Sequence, residues 1–136
     1  MSVFFDSNVL IYRIDYRDAY KNAIAAALID AALADGSAMI STQSLQEFYS
    51  AATRKLGIPA EDVKNVAVEY RRARIVQLTP KLIFAAMSRH GAGGFSFWDA
   101  LIVEAALYGG AKILYSEDMQ DGMRVDGLTI RNPFGA

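Results

Sequence analysis

The stretch Val3-Phe4-Phe5-Asp6-Ser7-Asn8 decides how this chain is read. Three apolar residues with no polar face predict a strand covered on both sides, and the polar triplet behind them marks its C-terminal end. Val9 to Ile14 then predicts a short helix. The same unit recurs along the chain. Ala38 to Ser41, Ile75 to Leu78 and Ala111 to Tyr115 are further short apolar strands, with Leu128 to Arg131 as a fifth. Between them helices are expected over Ala19 to Ala34, from Thr42 or Ser44 to Lys55-Leu56, over Ala60 to Ala73, from Pro80 to about Arg89, and from Phe97 to Tyr108. Asp15 or Asp18 can cap the first of these long helices. Pro59 and Pro80 stand at first-turn positions, Thr79 and Ser96 at caps, and Gly57 and Gly109-Gly110 at stops. Buried strands alternating with helices define an α/β fold whose parallel sheet is covered on both faces. His90-Gly91-Ala92-Gly93-Gly94 is the one segment expected to be a flexible loop.

The chain has 136 residues, suited to a single domain spanning 1–136; it is 53% hydrophobic with a net charge of -1, which excludes a disordered polyelectrolyte. With no cysteine there is no disulfide framework, thiolate metal site or cysteine nucleophile, and a single histidine, His90, excludes a site built on two imidazoles. Any metal or acid-base centre must therefore draw on the 15 carboxylates. The N-terminus lacks a basic segment followed by a long apolar one, and Ala23 to Leu33 is too short and too interrupted to span a bilayer. A soluble, cytoplasmic protein without membrane contact is expected. The aromatic residues Tyr12, Tyr16, Tyr20, Phe48 and Tyr49 are expected to lie mostly in the core.

In open α/β sheets ligands bind beyond the carboxyl ends of the strands. Asp6 follows the first strand directly, and Asp118 lies three residues after the fourth. Glu47 and Asp99 occupy early turns of helices that start from that same edge. Four acids from four segments can therefore converge. Each also has a purely structural reading: Asp6-Ser7-Asn8 as an Asx turn, Ser44-x-x-Glu47 and Ser96-x-x-Asp99 as capping boxes, Asp118 as a solvated turn residue. Apolar neighbours of Glu47 and Asp99 suggest partial burial, which is costly for a carboxylate without a partner. Hard oxygen donors without His or Cys select Mg2+ or Mn2+, and such ions suit phosphodiester hydrolysis.

The stretches Phe4-Phe5-Asp6-Ser7-Asn8-Val9-Leu10, Gln46-Glu47-Phe48, Ser96-Phe97-Trp98-Asp99-Ala100 and Ile113-Leu114-Tyr115-Ser116-Glu117-Asp118, in that order and spacing, resemble PIN-domain ribonucleases. The resemblance is strongest to the VapC-type toxins of prokaryotic toxin-antitoxin pairs. It implies a Rossmann-like domain with a parallel sheet of four to five strands. It also implies a Mg2+-dependent (or Mn2+-dependent) endoribonuclease in which Asp6, Glu47, Asp99 and Asp118 are catalytic. Asp6, Asp99 and Asp118 would be metal ligands and Glu47 the group that orients or deprotonates water. Ser116 and Asn8 are supporting candidates, and Glu117 or Asp121 can take the place of Asp118. The same resemblance implies an RNA substrate, a cognate VapB-like antitoxin as partner, a homodimer and a prokaryotic cytoplasm.

Positive charge for RNA can come from Arg71-Arg72-Ala73-Arg74, Arg54-Lys55 or Arg89-His90, though cations at helix C-termini also complement the macrodipole. Two bound Mg2+ would change the formal charge from -1 to +3, so a near-neutral composition does not exclude a nucleic-acid substrate. One enzyme alternative and two non-enzymatic alternatives are weighed against the nuclease. A haloacid-dehalogenase-like phosphatase needs a second Asp where Asn8 stands. A phospho-accepting receiver needs an acceptor Asp and a Lys that the later strands do not supply. A catalytically inactive PIN-fold binding module would not need four intact acids.

Overall fold

The central strand β1 (Val3–Phe5) is flanked by β2 (Ala38–Ser41) and β4 (Ile113–Tyr115), both parallel to it. A computed structural model describes residues 1–135, so the last position of the expected domain, Ala136, lies outside the described residues. Beyond β2 lies β3 (Arg74–Val76), and beyond β4 lies β6 (Leu128–Arg131), again parallel. A two-residue strand, β5 (Arg124–Val125), pairs antiparallel with β6 and closes the order β3-β2-β1-β4-β6-β5. The parallel strands all end at one edge, and the order reverses at β1, the switch point at which such sheets bind ligands.

The helices are α1 (Ser7–Tyr12), α2 (Ala19–Asp35), α3 (Thr42–Arg54), α4 (Ala60–Glu69), α5 (Pro80–Ala92) and α6 (Phe97–Tyr108). Alternation along β1 divides the core: Phe5 faces α1 to α4 with Leu10, Ile29 and Phe48, while Phe4 faces α6 with Met39, Ile102 and Leu114. Both phenylalanines are fully buried, and each such side chain contributes about 1.5–3 kcal/mol of transfer free energy. The fold is therefore the α/β domain read from the sequence, with helices on both faces.

Several local expectations are corrected. The five parallel strands fit the expected four to five, and a sixth, antiparallel strand is added because Asp126-Gly127 makes a two-residue turn with positive φ at both positions (49° and 89°), which folds Arg124–Val125 back onto β6. α5 runs on through His90 and Gly91 to Ala92, so the glycine loop shrinks to Gly93-Gly94-Phe95. The helix starting at Ala60 ends at Glu69 and finishes in a 3-10 turn, Tyr70–Arg72. Asp18, not Asp15, caps α2 by accepting from the Lys21 amide; Asp15 instead pairs with Arg17. Of the five aromatics expected in the core only Phe48 is fully buried; Tyr12 is half-buried, and Tyr16, Tyr20 and Tyr49 are exposed, because the faces they occupy carry no covering element. Gly109 ends α6 against β2, where a Cβ would stand 2.3 Å from Met39 Sδ, so any larger residue must displace that side chain.

Candidate active site at the carboxyl edge of the sheet

Asp6 leaves β1 at the switch point and is 5% exposed. It caps α1, as the Asx-turn reading expects, with Oδ1 accepting from the Ser7 amide at 2.7 Å. Its second oxygen does something a cap does not require: Oδ2 accepts from the Ser116 hydroxyl at 2.8 Å, across the β1–β4 pair. Ser116 is fully buried, and its Oγ in turn accepts from the Asp118 amide at 3.3 Å. Burial pushes the Asp6 carboxyl up to about 7 from an ordinary 3.8, against the two hydrogen bonds that favour the anion; the charges of Glu47 and Asp99 push it further up.

Asp99 sits in the first turn of α6. Ser96 caps that helix by accepting from the Asp99 amide at 3.1 Å, leaving the Asp99 carboxylate free of the backbone. Partial burial raises its pKa, countered by Ser96 and reinforced by the charge of Asp118. Glu47 is likewise released from a capping role: Ser41 caps α3 and Ser44 returns the bond, so the capping box spans Ser41 and Ser44 and not Ser44 and Glu47. The acids are thus coupled in sequence, Glu47 and Asp99 to Asp6, and Asp118 to Asp99. All four expected acids come to one edge.

Asn8 links two members of the cluster, donating from Nδ2 to Asp118 Oδ2 at 3.1 Å and accepting from the Glu117 amide on Oδ1 at 3.2 Å. This fixes the turn that follows β4. Glu117 points the other way, ion-paired with Lys21 and accepting from Tyr12 Oη at 3.0 Å. Asp121 accepts from the Asn132 amide at 2.9 Å. Neither alternative to Asp118 is therefore free to face Asp6. Sequence inspection missed Gln43, which is buried at the start of α3 and donates to the Trp98 carbonyl at 3.3 Å, holding the start of α6 against α3. A polar residue two positions past a buried strand was the only available signal.

Two hollows meet at Asp118. The larger, about 670 Å³, is bordered by Glu47, Asn8 and Asp118 and extends to Arg54 and Lys55. The smaller, about 350 Å³, is bordered by Asp99, Ser96 and Asp118. The other basic candidates are elsewhere. Arg74 begins β3 at the opposite edge and donates to the Gly109 carbonyl; Arg72 donates to that of Leu33; Arg89 pairs with Glu104 and Asp126. His90 rests edge-on against Phe97.

Among the described residues no three His, Cys, Asp or Glu side chains are arranged as a ready metal cage. Mg2+ does not require such a cage, because it keeps several waters and is held by one or two carboxylates together with substrate oxygens. The donor set is all oxygen, and a cation would favour the charged carboxylates against the burial and, after it, the repulsion that raise Asp6 and Asp99. Asp6 and Asp99 fit such an ion.

The PIN domain family profile matches residues 3–123. No curated protein sequence matches the chain. Solved structures share the fold at low identity. The sarcin-ricin-loop-cleaving toxin VapC20 of Mycobacterium tuberculosis is 22% identical over 86% of this chain and 90% of that one, with a TM-score of 0.66. A toxin-antitoxin complex from Klebsiella pneumoniae gives 16%, 97%, 98% and 0.68, and VapBC2 of Rickettsia felis, bound to a promoter DNA fragment, 16%, 97%, 98% and 0.67. Among the described residues no helix is long and apolar enough to cross a membrane.

Proposed function

The chain belongs to the PIN domain family, and from that membership and the acidic edge we propose that it is a divalent-metal-dependent endoribonuclease of the VapC toxin type. One observation carries the proposal: a carboxylate buried at the sheet's switch point, Asp6, is held by Ser116 and Ser7 yet lies under the charges of Glu47 and Asp99. A fold does not by itself keep so unfavourable a set of acids together.

Asp6 and Asp99 are the principal ligands in this reading, and Asp118 is a further ligand or a contact through water. A bound Mg2+ or Mn2+ would supply charge for the phosphoryl oxygens and a more acidic water. Glu47, part-exposed on the wall of the larger hollow, is placed to orient or deprotonate the attacking water. Ser116 keeps Asp6 in one rotamer, and Asn8 keeps Asp118 turned toward the hollow. A VapB-like antitoxin, a homodimer and a prokaryotic cytoplasmic setting belong to the same proposal; the antitoxin is supported by the toxin-antitoxin relatives.

The test is cleavage of RNA by purified protein with and without Mg2+ or Mn2+. Cleavage abolished by EDTA, by Asp6→Asn and by Asp99→Asn is expected. Undiminished cleavage under any of these conditions sinks the metal-carboxylate mechanism. A reading frame for a small DNA-binding protein directly upstream, copurifying with this chain, tests the toxin assignment.

A further inference from the structure

We propose that Arg54 and Lys55 form a phosphate subsite for single-stranded RNA at the far end of the acidic hollow. The subsite rests on the nuclease reading and specifies how substrate lies in that cleft. Three features of the molecule carry it.

The first is helix geometry. Glu47, Ser50 and Arg54 are spaced i, i+3, i+7 on α3, so they share one face, and all three border the same hollow. At 1.5 Å per residue, Arg54 lies about 10 Å along the axis from Glu47. That is roughly three nucleotides of a stacked strand and fewer of an extended one. A strand whose scissile phosphate sits at the acids would therefore bring a neighbouring phosphate to Arg54.

The second is charge. The hollow is acidic at one end, with Glu47 and Asp118, and basic at the other, with Arg54 and Lys55. Both cations are exposed, and among the described residues neither has an ion-pair partner. In contrast, Arg13, Arg17, Lys21 and Arg89 are each committed to carboxylates. The third is a neighbouring recess of about 190 Å³ that Lys55 also borders, with Ile11, Tyr12 and Leu56 on its wall. Asn8, Asp15, Arg17 and Glu117 border the recess as well, so a base attached to the bound phosphate meets both apolar and hydrogen-bonding groups there, which a free inorganic ion would not use.

A helix-end role makes a different prediction. Cations in the last turn and at the C-cap of α3 favour the macrodipole, and in that role alone their loss would lower thermal stability slightly and leave RNA unaffected. The discriminating experiment is fluorescence anisotropy with a labelled mixed-sequence single-stranded RNA in EDTA, across a range of KCl concentrations. Wild type, Arg54→Gln, Lys55→Gln and the double variant are compared, with Arg71→Gln and Lys112→Gln as exposed cations on the opposite edge. Each subsite substitution should weaken binding severalfold and reduce the log-log salt slope by about 0.7, with the double variant losing about twice that. The opposite-edge variants should match wild type. With metal added, the subsite variants should raise KM and keep kcat.

Wild-type affinity and slope in the double variant overturn the proposal, as does equal loss in the opposite-edge variants or absence of RNA binding by wild type. If wild type cleaves RNA and the subsite variants bind and cleave like it, the subsite falls and the nuclease reading stands. If the salt slope drops as expected while wild type fails to cleave with any divalent metal, the subsite stands and the catalytic reading falls.

Discussion

Replacing Asp6 by Asn should stabilise the metal-free protein, by an amount set by pH. The Asp6 carboxyl stands at about 7 in the folded chain against 3.8 ordinarily, a displacement equal to about 4 kcal/mol. Between these two values the folded protein holds a proton that the unfolded chain has released. Wild-type stability therefore falls as pH rises from about 4 to about 7, and the full penalty is present above that. By pH 5 somewhat under half of it has developed, and by pH 8 nearly all. Asn keeps the acceptor for the Ser7 amide but faces Ser116 with a donor, which leaves the Ser116 hydroxyl without its acceptor and costs about 1 kcal/mol. The net gain for Asp6→Asn is then about 3 kcal/mol at pH 8 and less than about 1 at pH 5. Urea unfolding in EDTA at both pH values measures it, and near pH 8 the gain corresponds to roughly 10 °C in Tm for a domain of this size. An equal effect at the two pH values, or a variant less stable than wild type at pH 8, would refute the claim that Asp6 is held as a strained anion. Millimolar Mg2+ should narrow the gap by stabilising wild type alone.

Ser116→Ala should remove the donor from Asp6 Oδ2 and cost about 1.5–3 kcal/mol, and urea titration should show a larger loss at pH 8 than at pH 5, where the carboxyl is neutral. Asn8→Asp should place a carboxylate oxygen where Nδ2 now meets Asp118; calorimetric titration with Mn2+ in the absence of RNA is expected to show altered affinity, with Asn8→Ser closer to wild type. Gly109→Ala should destabilise the fold by about 1–3 kcal/mol through the clash with Met39, and pairing it with Met39→Ala should recover part of that loss in the same thermal melts.

The parallel layers were legible because short strands such as Val3–Phe5 and Ala38–Ser41 have no polar face, and burial on both sides is the arrangement that such runs allow. The acids were legible by position: each follows a strand or opens a helix at one edge. What escaped notice depended on contacts between distant segments. Glu47's helix was expected from Thr42 or Ser44, with Ser44 and Glu47 as a capping box; it starts at Thr42, and the capping box is Ser41 with Ser44 instead. β5 was missed although Asp126-Gly127 is a strong turn signal, since two residues carry no periodicity of their own. Gly91 was taken as a helix breaker, yet its neighbours hold α5 in register to Ala92. Asp118, Glu117 and Asp121 could not be told apart locally; in the structure Lys21, 96 residues from Glu117, and the Asn132 amide engage the other two.

The central position of β1 has a consequence for biosynthesis. Asp6 is made 110 residues before its partner Ser116, which follows a strand that can insert beside β1 only after residues up to 115 have been made. Until then, one flank of the oldest strand in the sheet stays open. A nascent chain carrying Asp6, Glu47 and Asp99 without β4 has neither the hydroxyl that fixes Asp6 nor the turn that brings Asp118. The proposed centre is therefore complete only once β4 and the turn carrying Asp118 have been made, and a chain truncated before Ile113 should lack RNA-cleaving activity.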